Sequence, residues 1–266
     1  MKKLILTSLL AVFAATGANA AINDNPLYRP DQGRFYSVTS LESSSRPTTT
    51  NQKGSSGFAL TEAFGYGVTD RLAIGLETSA STSDWFAENS WDAFGIGLNY
   101  RVLDGINWKA DVFGSYGFGG VWPYGETFLG EENTVYVWTV GAKVGYETSS
   151  WAFAGHIAFD YLNSESFNWG DDGVHSLRVG ADAFFAMNMQ WSLVLGAEYQ
   201  IDDMADMRDG DNRGTWLGKI GVNYNIDDAK FIGAYIGKEM NHDAVNGGEW
   251  NIEDGFAYGV KFGVEF

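Results

Sequence analysis

The chain is 266 residues long with a formal charge of −17, and that acidic balance excludes nucleic acid as a natural partner. It has no cysteine, so neither a disulfide framework nor a thiolate-based metal or redox centre is available. Glycine (34) and aromatic residues (18 Phe, 13 Tyr, 10 Trp) abound while proline is scarce (4), which suits closely approaching strands in one large β domain.

Residues 1–20, MKKLILTSLLAVFAATGANA, place two lysines before an apolar run from Leu4 to Ala15 and end in Ala18-Asn19-Ala20. This pattern predicts a secretory signal peptide, leaving residues 21–266 as the exported domain. The apolar run is too short for a spanning helix of about 20 residues, and no later segment is long and apolar enough either.

Beyond it, alternating apolar and polar residues predict strands joined in pairs. A first strand falls near Arg34 to Leu41, with both faces mixed around Phe35 and Tyr36, so its orientation stays open. Phe64 to Val68 and Leu72 to Leu76 form a hairpin around Thr69-Asp70-Arg71. Phe94 to Tyr100 pairs with Trp108 to Phe118, Trp138 to Tyr146 with Trp151 to Tyr161, Leu177 to Phe185 with Trp191 to Tyr199, and Trp216 to Tyr224 with Phe231 to Gly237. The last strand, Phe256 to Phe266, sets Phe256, Tyr258, Val260, Phe262, Val264 and Phe266 on one face. Glu62 is in phase with Phe58, Leu60, Phe64 and Tyr66, which calls for a bulge or a position above the bilayer.

The sum is about twelve strands. Short turns (69–71, 102–107, 148–150, 187–190, 226–228) alternate with long connections (42–56, 79–90, 119–133, 163–173, 202–213, 239–254), and aromatic residues gather beside the short turns. That asymmetry, with an interfacial aromatic girdle, predicts an all-β fold: a transmembrane antiparallel up-and-down β-barrel.

The ending Tyr258-Gly-Val-Lys-Phe-Gly-Val-Glu-Phe266 resembles the terminal recognition strand of Gram-negative outer-membrane proteins, read by the barrel-assembly machinery. Tyr258, Phe262 and Phe266 are the residues this resemblance marks as the assembly signal. The turn Tyr66-Gly-Val-Thr-Asp-Arg-Leu-Ala-Ile-Gly75 is similar to turns in small porin-like or transporter-like outer-membrane barrels, including some linked to phenol degradation. The resemblance implies a bacterial outer-membrane location, with outer-membrane lipid and lipopolysaccharide as surroundings.

With the apolar face toward lipid, the other face lines the lumen: Glu77, Arg101, Lys109, Asp111, Lys143, Glu147, His156, Asp160, Arg178, Asp182, Glu198, Lys219, Lys261 and Glu265. A near balance of signs fits either a water-filled wall or a locked network of ion pairs. Small residues at lumen positions, among them Gly95, Gly97, Gly141, Gly145, Ala152, Ala154, Ala158 and Gly180, suggest open space. The long connections form an acidic rim, densest at Asp202, Asp203, Asp206, Asp209 and Asp211, which attracts cations at low ionic strength. Asp206 to Asp211 lacks EF-hand spacing, so no metal site is assigned, and no cofactor is expected.

Catalysis has little to work with. His156 and Asp160 share the lumen face with Arg178 and Asp182 but lack an evident nucleophile; His175 and Ser176 point to opposite faces; His242 lies in an acidic connection. The expected function is a passive, non-enzymatic channel for small hydrophilic solutes with a mild cation preference, no plug domain, and both termini in the periplasm. The alternatives are a non-conducting surface barrel with a structural or adhesive role, and an outer-membrane hydrolase.

Overall fold

The computed structural model describes residues 24–46, 55–82, 90–119, 135–164, 174–203, 213–243 and 254–266. The predicted signal peptide and the greater part of each long connection, with Asp206, Asp209 and Asp211, lie outside the described residues. Twelve strands run in order: β1 (Phe35–Arg46), β2 (Ser55–Gly67), β3 (Leu72–Thr82), β4 (Ser90–Asp104), β5 (Trp108–Gly119), β6 (Val135–Glu147), β7 (Trp151–Ser164), β8 (Val174–Ala186), β9 (Trp191–Asp203), β10 (Arg213–Asp227), β11 (Lys230–Asp243) and β12 (Gly255–Glu265). Each pairs antiparallel with its sequence neighbours, and β1 pairs with β12 from Tyr36↔Glu265 to Ser45↔Phe256, so the sheet closes into a barrel without an edge.

The turns at one end are specified locally. The Thr69 hydroxyl accepts from the backbone N–H groups of Arg71 (3.2 Å) and Leu72 (2.9 Å), and Thr148 does the same for Ser150 and Trp151. Asn188 receives Gln190 and Trp191 at 2.8 Å each. Asp227 receives the N–H of Ala229, and that bond together with the Lys230 ammonium holds its carboxyl below the usual carboxylate range. A short polar side chain that satisfies the backbone two or three residues on is what sets a tight hairpin.

Outward faces carry the apolar band. Leu98, Val140 and Ile236 are more than half exposed there. Girdles flank the band. At the short-turn end the Phe35–Tyr66, Trp108–Tyr146, Tyr146–Trp151 and Trp191–Tyr224 ring pairs lie 4.4 to 5.3 Å apart. Toward the other end stand Phe94–Phe118, Tyr116–Trp138 and Tyr199–Trp216. The open question at the first strand is thereby answered: Phe35 is an outer girdle residue, while Tyr36 points inward and is buried.

Two expectations need correction. The strands run further than the apolar alternation does: β1 continues to Arg46, β2 begins at Ser55, and Asp202, Asp203 and Arg213 are strand residues. Above the apolar band both faces are polar, so the ladder persists where the sequence pattern fades. Of the two arrangements expected for Glu62, a bulge or a position above the bilayer, the bulge is excluded. Registers with β1 and β3 are continuous (Thr39↔Glu62, Glu62↔Thr78), and Glu62 stays on the outer face with Phe64 and Leu60. Its carboxylate accepts from the hydroxyls of Ser37 (2.5 Å) and Thr39, so the wall supplies hydrogen bonds that lipid does not.

Candidate functional site: the barrel lumen

The inner wall is built from alternate residues of every strand, and its charges occur in groups. Around the middle, Arg178 reaches Asp160 through Nε (2.5 Å) and Nη2 (2.9 Å) and lies 3.6 Å from Glu198. Asp160 also accepts from Thr139 at 2.6 Å. His156 stands between Asp182 (3.2 Å) and Glu198 (2.8 Å). Lys219 sets its ammonium 4.5 Å from the centre of the Tyr235 ring, whose hydroxyl donates to Glu42 at 2.6 Å. Nearer the short turns, Asp111 pairs with Arg101 (2.6 Å) and Lys143 (3.8 Å), while Lys109 lies between Asp104 and Glu147.

Asp202 was expected in an exposed rim. Instead it is 1% exposed at the end of β9, where it accepts from Ser176 and Gln200 at 2.6 Å each. Strand pairing with β8 turns it onto the inner face beside those donors. His175 faces outward against the rings of Phe159 and Tyr161, separated from Ser176 by the pleat. The described partners of His156 are the carboxylates of Asp182 and Glu198, with no hydroxyl or thiol among them.

The expected free space over small wall residues is corrected at some of them. A Cβ added at Gly65 would strike the Tyr36 ring, at Gly141 the Phe113 ring, at Gly259 the Tyr235 ring and at Gly263 the Phe231 ring. Glycine is needed there because a large inward side chain of another strand lies flat on the wall. At these positions, Gly141 among those expected to be open, glycine makes room for a ring, whereas at Gly97 the nearest atoms to an added Cβ are 3.8 Å away.

The largest departure is the segment before β1, which runs inside the barrel at the short-turn end. Asp24, with φ 61°, places its carboxylate on the Lys261 ammonium and accepts from the Asn223 side-chain amide at 3.3 Å. The Asn25 side chain donates to Glu147 at 2.6 Å. Lys143 donates to the carbonyl of Pro26 (2.5 Å) and Arg101 to that of Leu27 (2.7 Å). Leu27 is 2% exposed and packs on Ala152, Ala154 and Phe184. Tyr28 packs on Tyr36 and Phe231. The chain then leaves the lumen at Gly33 (φ 82°), whose N–H donates to the Gly67 carbonyl at 2.8 Å. Only glycine takes that left-handed bend at no cost.

So a segment of the chain itself occupies part of the lumen, which the strand pattern does not foresee. Its signal was in the sequence: Pro26 and Pro30 deny the segment a ladder, while Leu27 and Tyr28 are apolar and need cover. Its effect shows in the wall, where Arg101, Asp111, Lys143, Asn223 and Lys261 are all 6% exposed or less. Chain atoms cover that part of the inner wall.

Comparison with solved structures sets this geometry in context. An outer membrane channel from Pseudomonas putida F1 superposes with a TM-score of 0.55 at 14% identity, covering 90% of this chain and 98% of that one. The NanC porin gives 0.56 at 11% identity, covering 85% and 98%. The translocator domain of the autotransporter NalP from Neisseria meningitidis gives 0.56 at 13% identity, covering 98% of each. The chain has the fold of the outer-membrane β-barrels. At these identities the likeness concerns the fold alone. No protein-family profile and no curated sequence matches the chain.

Proposed function

We propose that this outer-membrane barrel is a channel for small hydrophilic solutes whose short-turn mouth is stoppered by its own N-terminal segment. The observation that carries the reading is the seat of residues 24–28. What blocks the lumen there is not the wall but a strand-free segment continuous with it only at β1, so the path opens without breaking a ladder.

Two of the structural relatives named above are a channel and a porin, which supports this reading over adhesion or hydrolysis. Export through a cleaved signal peptide, assembly through Tyr258, Phe262 and Phe266, lipopolysaccharide around the outer wall, and both termini in the periplasm belong to the same proposal. So does a mild cation preference, set at the acidic rim and screened by salt. The test is planar-bilayer recording. The intact chain should pass rare, brief openings, and Leu27→Ala should pass frequent ones; silence from both removes the channel reading and leaves a non-conducting surface barrel.

A further inference from the structure

The groups that hold the stopper form a recognisable constellation once the segment is imagined gone. Lys261 faces Asp24 and has no other acid within ion-pair distance among the described residues. Lys143 and Arg101 each spend a donor on a backbone carbonyl, those of Pro26 and Leu27, within a turn that the Tyr28 N–H closes on the Asn25 carbonyl (3.0 Å), and Glu147, on the same strand as Lys143, accepts an amide N–H from the Asn25 side chain. Beside them Gly145, Ala152, Ala154 and Phe184 wall a slot that Leu27 fills, and a Cβ at Gly145 would lie 2.8 Å from a Leu27 methyl. A cation for a carboxylate, two donors for successive carbonyls, one acceptor and one branched-aliphatic slot are what an acidic peptide requires.

We propose that the seat of residues 24–28 is a binding site for short acidic peptides, and that the N-terminal segment is its tethered stand-in. The proposal rests on the reading of that segment as a displaceable stopper. It follows that ligand and stopper exclude each other, so a peptide entering from the short-turn side takes the stopper's place and meets the same wall groups. The tether keeps the stopper's effective concentration in the millimolar range or above, so a free peptide competes only when the segment is loosened. The site is distinct from the acidic rim: its pairs are buried, and salt screens them much less than it screens exposed charges.

The experiment is titration calorimetry on the full chain in detergent micelles, with Asp24→Asn and Leu27→Ala introduced to loosen both ends of the stopper. The probe is the blocked pentapeptide Asp-Asn-Pro-Leu-Tyr, the sequence of residues 24–28. It should bind; its Asn-Asn-Pro-Leu-Tyr counterpart should bind at least about tenfold more weakly, as expected for loss of a charge-assisted bond. Adding Lys261→Gln to the protein should erase the difference between the two peptides. No binding, equal binding of both, or a difference that survives Lys261→Gln overturns the proposal. Because binding is read without current, a barrel that binds the peptide yet never conducts removes the channel and keeps the site. A barrel that conducts and ignores the peptide does the reverse.

Discussion

Leu27→Ala is the most informative single change. The side chain is 2% exposed, and truncating a buried leucine costs about 2–5 kcal/mol, more where the surroundings hold firm. Here the slot is made by Gly145, Ala152 and Ala154, residues fixed in paired strands and too small to move into the gap. The upper part of the range is therefore expected. Since about 1.4 kcal/mol is a factor of ten, the whole range makes release of the segment between roughly thirtyfold and a few thousandfold more frequent, and the upper end is the one expected here.

The absence of cysteine gives a clean assay. Ala154, which is 0% exposed beneath Leu27, becomes the one thiol in an Ala154→Cys chain, and its rate of labelling by a small water-soluble thiol reagent reports the open fraction. Labelling should be slow with Leu27, nearly as slow with Leu27→Met, which conserves volume, and at least about thirtyfold faster with Leu27→Ala. A folded Leu27→Ala barrel whose labelling changes by less than about threefold would refute the idea that this side chain pins the stopper.

Four further outcomes follow from the same geometry. Asp160→Asn, read as the urea midpoint of the lipid-embedded barrel, should destabilise it by about 3–5 kcal/mol because the buried Arg178 guanidinium loses its main counter-charge. Replacing Ser37 and Thr39 by alanine should be destabilising while Glu62 remains, at about 1.5–3 kcal/mol per lost bond to the carboxylate, and close to neutral when Glu62→Leu is added; additive effects would show that the three do not act together. Gly259→Val should lower the folded fraction on unheated gels, since its Cβ would lie 2.6 Å from the Tyr235 ring, whereas Gly218→Val, with nothing within 4 Å, should not. Reversal potentials in a gradient of potassium chloride should show a cation preference that shrinks as salt rises; preference for the anion at every salt concentration would remove the rim as its source.

The wall was legible because a membrane barrel must alternate: lipid demands apolar side chains at every second residue, and Phe94 to Tyr100 or Tyr258 to Phe266 announce both strand and face. Short turns were equally readable, since Thr69, Thr148, Asn188 and Asp227 act on backbone two or three residues away. What sequence spacing did not reveal depends on which strands meet. That Tyr235 lies on Gly259 and bonds Glu42, or that Asp202 turns inward onto Ser176, follows from register across β11–β12 and β8–β9 rather than from local pattern. The stopper was missed for a different reason. A segment with two prolines and no period gives no face to read, and its apolar residues show only that something covers them.

The place of that segment also bears on how the ring is completed. Closing it joins β1 to β12, strands at opposite ends of the chain, and pairing over so long a separation is slow because the loop entropy is lost before any contact compensates it. The stopper touches both banks of this seam from within: Asp24 holds Lys261 on β12 while Tyr28 lies on Tyr36 of β1 and Phe231 of β11. The segment that lies in the lumen is thus also a clasp across the last join, touching from within the two strands that close the ring.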